Sequence, residues 1–153
     1  MRSVVRLALL FTVLVTSAVA VSAPALATEL GDYLWQRRPL LLFAPADTDP
    51  RLVETLGRIE AGECEFADRD MVTGVVVREG TSTLGGEIIG ADEAHELRAK
   101  YAIDTGAFTA LLIGKDGSEK FRVDGVPDLQ TIYAVIDGMP MRGNEIGSSP
   151  SGC

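Results

Sequence analysis

Five apolar residues in succession, Leu40-Leu41-Leu42-Phe43-Ala44, stand between Pro39 and Pro45. The run is too short to cross a membrane, and the prolines bound it too tightly for an ordinary helix. A strand covered on both faces suits it, as in the middle of a parallel sheet. The next residues, Ala46-Asp47-Thr48-Asp49-Pro50, open a helix: Asp49 is a good N-cap and Pro50 fits the first helical position. Strand-to-helix corners of this kind often carry active sites in α/β folds. This corner holds no evident nucleophile, base or metal-ligand set.

The start of the chain speaks to compartment. Arg2 and Arg6 precede an uncharged apolar block from Leu7 to Val21, and Val21-Ser22-Ala23 and Ala25-Leu26-Ala27 follow. A basic start, a short apolar stretch and an Ala-x-Ala exit predict a secretory signal over residues 1–27, cut after Ala27 or, as second choice, after Ala23. The block falls short of the ~20 residues a bilayer span needs, so no membrane insertion is expected after cleavage. The expected location is the periplasm or the medium. Cleavage removes Arg2 and Arg6 and no acid, which takes the formal charge from −8 to −10. So acidic a chain repels nucleic acid and anionic lipid, and an envelope protein is the expected kind of partner.

Periodicity organises the rest. Leu30, Tyr33 and Leu34 make residues 28–38 a short amphipathic turn, with the single tryptophan, Trp35, expected as a core plug. Leu52, Val53, Leu56 and Ile59 share one face of the first helix, which Gly62 ends. Met71–Val77 is a second buried strand, so strand, helix and strand form a right-handed parallel unit. Residues 78–91 form the longest loop. Asp92 is expected to cap a second helix with Ala94, Leu97 and Tyr101 inward. A third strand, Phe108–Ile113, turns at Asp116-Gly117 into an alternating edge strand, Glu119–Val123. A last helix carries Leu129, Ile132, Tyr133 and Ile136 inward and stops at Gly138 and Pro140. The order β-α-β-α-β-β-α predicts an α/β fold of thioredoxin-like type, a four-stranded mixed sheet with helices on both faces. Its domain spans 39–143, and the polar residues 144–153 are expected to be a disordered tail.

With these elements placed, the chain resembles a secreted family of unknown function, found in short bacterial exported proteins and as a module in vertebrate sushi-repeat and related matrix proteins. The likeness lies in Trp35-Gln36-Arg37-Arg38-Pro39 and the apolar run after it, Arg69-Asp70, Leu111–Gly117, Ile136–Arg142 and Glu145. It implies a thioredoxin- or peroxiredoxin-like fold and export, and it brings no settled activity.

Thiol chemistry is the first function to weigh. A thioredoxin needs a low-pKa thiolate where the first helix begins, and Asp47-Thr48-Asp49-Pro50 has no sulfur there. Cys64 lies among Glu60, Glu63, Glu65 and Asp68, carboxylates expected to make its thiol a poorer nucleophile. It stands as the weak catalytic alternative, a thiol oxidoreductase or peroxidase relative. Cys64 and Cys153, the only cysteines, form either one bridge, worth about 4–5 kcal/mol in the chain-entropy model, or free or intermolecular thiols. Asp47-x-Asp49 and Asp68-x-Asp70 lack the pattern of a calcium loop, so no metal or cofactor is expected. Asp68 reads as solvated, Asp70 as a partner for a nearby arginine, and His95 as solvent-flanking. Arg69, Asp70, Met139, Met141 and Arg142 remain. They read as packing against the sheet ends or, alternatively, as a partner surface, since methionine adapts to varied apolar shapes. The expectation is an exported thioredoxin-like domain that binds or builds rather than catalyses.

Overall fold

Strand β1, Arg38–Ala46, is buried from Arg38 through Ala44 and is the centre of the molecule. In the computed structural model, which describes residues 30–146, it pairs in parallel with β2 (Met71–Glu79) on one edge. Its other edge pairs antiparallel with β5 (Thr109–Ile113), which pairs antiparallel with β6 (Glu119–Val123). Between β2 and the second long helix lie β3 (Thr83–Leu84) and β4 (Glu87–Ile88), giving a sheet of order β4-β3-β2-β1-β5-β6. The expected four strands are its contiguous β2-β1-β5-β6 part, with β6 at the edge as expected. The two extra strands lie inside the segment taken for a loop, where two-residue ladders leave no alternation to read. The expected signal segment and the final residues 147–153 lie outside the described residues.

The period-two geometry of β1 sorts its side chains into two cores. Leu40, Leu42 and Ala44 face α1 (Pro50–Ala61), α2 (Glu63–Asp68) and α4 (Leu129–Asp137), meeting Leu52, Phe66, Ile132 and Ile136. Leu41 and Phe43 face α3 (Ala91–Lys100), meeting Ala94, Leu97 and Tyr101. Phe43 and Tyr101 stand edge to face, with centroids 6.2 Å apart. Helices therefore cover both faces, as expected.

Several local expectations are corrected. Val53 is exposed, and Thr55 takes the inward place by donating its hydroxyl to Arg51 O at 2.7 Å. Helix α3 begins at Ala91 behind Gly90, so Asp92 sits in its first turn rather than at its cap. Pro140 does not simply end the chain's last helix. After Gly138 closes α4, Pro140 takes the first position of a further helix, α5 (Pro140–Glu145), so ordered structure runs past the expected boundary at 143.

Gly74 lies within β2, between β1 and β3. A Cβ built there would come 2.6 Å from Leu41 Cδ2 and 2.9 Å from Leu84 Cδ1, both fully buried. Gly74→Ala is therefore expected to lower stability by about 1–3 kcal/mol in urea unfolding, the usual cost of overpacking a close-packed core.

Candidate functional site

Residues distant in sequence converge where β1 and β2 begin and β5 ends. Arg38 opens β1, Arg69 and Asp70 precede β2, Lys115 follows β5, and Arg142 and Glu145 come from α5. Arg38 is 1% exposed, so a cationic guanidinium lies inside the protein. Burying it requires a counter-charge with matching geometry. Glu145 supplies this as a bidentate pair, accepting from Nη1 and Nη2 at 3.0 Å each. Nη1 also donates to Arg69 O at 2.9 Å.

Lys115, 8% exposed, bridges two anions, donating at 2.7 Å both to Glu145 Oε1 and to Asp70 Oδ2. Arg142, 4% exposed, bonds Asp68 through carboxylate and backbone oxygens and reaches Asp137 at 3.4 Å. Arg69 also binds Asp137, at 2.7 and 3.1 Å, and lays its guanidinium over the Tyr133 ring at 4.5 Å. One continuous network thus ties α2, α4 and α5 to the ends of three strands. Burial alone would raise the pKa of Glu145, but the hydrogen bonds from Arg38 and Lys115 override it and hold the group below its ordinary value. For Arg142, burial opposes the charge, and Asp68 and then Asp137 reverse the balance.

Beside this network a cavity of about 380 Å³ is lined by Trp35, Arg38, Lys115, Lys120, Met139 and Met141. Trp35 is not the core plug expected: its side chain is among the exposed apolar groups, at 65%. Its backbone N–H donates to Lys115 O at 2.6 Å, and its φ is +65°, a region a bulky side chain rarely adopts. Asp70 also has positive φ, +51°, while its carbonyl accepts from Arg38 N at 2.8 Å. Met141 is 39% exposed at the same cavity. Strained backbone persists only where its surroundings over-determine it. Here the network is that surrounding structure.

Of the residues singled out from the sequence, Arg69, Asp70 and Arg142 are joined by the network, and Met139 and Met141 line the cavity next to it. Asp68 is not solvated but paired with Arg142. Arg38, Lys115 and Glu145, the buried heart of the site, were not singled out as functional. An arginine at the start of an apolar strand was the available signal, and the turn chemistry of Asp116-Gly117 masked Lys115.

The strand–helix corner is closed by its own residues. Asp49 caps α1 by accepting from Arg51 N at 2.9 Å, and the Arg51 side chain binds the same carboxylate at 2.6 and 2.9 Å. That side-chain bond, against slight burial, lowers the Asp49 pKa. Cys64, exposed on α2, is disulfide-bonded. Cys153, the other cysteine of the chain, lies outside the described residues.

A family model described as a domain of unknown function (DUF4174) matches residues 29–145. The chain belongs to this family. Among solved structures it is similar to Plasmodium yoelii thioredoxin peroxidase I, with 15% identity and TM-score 0.54, over 80% of this chain and 83% of that one. It is similar also to Plasmodium vivax 2-Cys peroxiredoxin in its reduced form, with 13% identity and TM-score 0.53, over 75% and 84%. A mutant peroxiredoxin 6 of Arenicola marina gives 21% identity and TM-score 0.52, over 73% and 65%. At such identities the likeness shows the fold: thioredoxin-like, as the element order predicted.

Glu145→Ala strands Arg38 without its bidentate partner and is expected to cost about 3–5 kcal/mol in urea unfolding. The pH dependence follows from the lowered Glu145 pKa. Its contribution is complete above the ordinary value of 4.5 and is lost as pH falls through the lower folded value. Wild type should therefore lose stability more steeply below that pH than Glu145→Gln, measured as urea midpoints across the acid range.

Proposed function

We propose that this chain is an exported thioredoxin-like domain that binds an envelope protein through the Trp35–Met141 cavity and performs no thiol chemistry at its strand–helix corner. The observation that carries the reading is Trp35 itself. An indole held at positive φ and left largely in water costs stability, and the fold maintains it beside a buried ion-pair network. Trp35, Met139 and Met141 offer a rigid aromatic and two adaptable thioethers, the make-up of a hot spot at a protein interface. Lys120 and Asp116 line the same cavity and supply charge of both signs. Export is supported by the basic start, apolar block and Ala-x-Ala exit of residues 1–27.

The reading is tested by placing a photoreactive amino acid at position 141 in the exported protein. One discrete cross-linked partner is expected, lost in Trp35→Ala and retained in Cys64→Ser. No cross-link, or one that survives Trp35→Ala, would overturn it.

A second reading, a thiol oxidoreductase or peroxidase relative using Cys64, is favoured by the exposed, disulfide-bonded sulfur on α2. After reduction, the Cys64 thiol is expected to alkylate at about pH 6 no faster than an unperturbed thiol with pKa near 8.5. Fast alkylation there would move the assignment to the second reading.

A further inference from the structure

At the opposite end of the sheet, where β1 and β2 finish, Arg98 of α3 is 7% exposed. Its Nη2 donates to Val76 O at 2.8 Å and to Ala44 O, while Nε and Nη1 have no hydrogen-bond partner. No carboxylate pairs with it among the described residues. Its guanidinium lies 5.8 Å from the Phe43 ring centroid, and its charged neighbour is another cation, Arg78. Burial first, and then Arg78, pull its pKa down. Arg38 is buried more deeply still, and although its Nε also lacks a partner, Glu145 balances its charge. A buried charge without a counter-ion is expensive, and buried polar atoms without partners are uncommon in native proteins.

Arg98 lines a cavity of about 490 Å³, within the range of small-molecule sites. The polar part of the wall is Arg78, Thr81, Ser82, His95, Arg98 and Thr105, with no carboxylate. The apolar part is Val77, Ile88, Ile89, Ala91 and Ala94. Arg78 is already paired with Glu79 at 2.7 Å, which leaves Arg98 as the lining cation without an ion-pair partner among the described residues. Asp47 stands near, its side chain lying over Gly80 at the cavity wall. Ala91 begins α3, whose first turn carries Asp92 and Glu93, so the helix dipole there is offset and the attraction rests on Arg98.

We propose that this cavity binds a small organic monocarboxylate, its charged group drawn to Arg98 and its hydrocarbon body against Val77, Ile88, Ile89 and Ala94. A single unpaired cation, with Asp47 close by, matches a monoanion better than a phosphate dianion, and the apolar wall calls for a carbon chain or ring rather than an inorganic ion. Nε and Nη1 have almost no accessible surface, so the attraction acts first through the guanidinium field in a low dielectric. The site is independent of the Trp35 face and stands or falls without it.

His95, the only histidine, lines the cavity, so its imidazole proton signals form a single-site NMR reporter. The mature chain is titrated with butyrate, with benzoate and, at matched ionic strength, with inorganic phosphate. A saturable His95 shift with an apparent Kd below about 1 mM is expected for a carboxylate and not for phosphate. Arg98→Met should abolish it. Because that variant removes two backbone hydrogen bonds, Ala91→Trp, at an exposed helix start, fills the cavity while keeping Arg98, and should weaken binding at least tenfold. No saturable shift, tighter binding of phosphate, or binding unchanged in Ala91→Trp would overturn the proposal.

Discussion

Everything in this domain is arranged around the four-sided enclosure of β1. Both of its edges are hydrogen-bonded, to β2 and β5, and both of its faces are covered by helices. Such a strand admits only apolar side chains along its length, and each end then faces a choice between burying charge and meeting water. The two ends resolve that choice differently. At the start, Arg38 is taken inside and paired by Glu145 from the far end of the domain. Near the finish, the carbonyl of Ala44 is capped by Arg98, which among the described residues pairs with no carboxylate.

The paired end is a structural clamp. Glu145 reaches Arg38 and Lys115 only because α5 folds back after Gly138, and this closure ties the last helix to the first strand. A network of this kind adds little net stability over a well-packed apolar contact, but breaking one member is costly, so it holds geometry firmly. The geometry it holds includes two residues at positive φ, Trp35 and Asp70. An exposed indole beside two methionines at one cavity is the result. The corner that serves catalysis in many related folds is meanwhile closed by Asp49 and Arg51.

Much of the fold was legible in sequence because its signals are local. The Pro39–Pro45 run, the Asp49-Pro50 start, the Asp116-Gly117 turn and the stripe of Leu129, Ile132, Tyr133 and Ile136 each declare an element over a few residues. The misses share one cause. Trp35 was expected inside because tryptophan usually is, but its backbone is committed to Lys115 and its ring stays in water. Asp68 looked solvated because Arg142 lies far along the chain. The two-residue strands β3 and β4 carry too little pattern to detect.

By itself, then, the sequence determined the order of elements, the empty corner and the acidic charge balance, since each depends on residues near one another or on composition alone. Tertiary structure decided which charges are buried, which are paired and which stand alone. Arg38 and Arg98 are alike in sequence terms, each an arginine beside apolar residues, Pro39 and Leu40 for the first and Leu97 and Ala99 for the second. Only the three-dimensional neighbours distinguish them: Glu145 against the first, Arg78 and a cavity against the second. Coulomb energy depends on distance and on the surrounding dielectric, and neither is written along the chain.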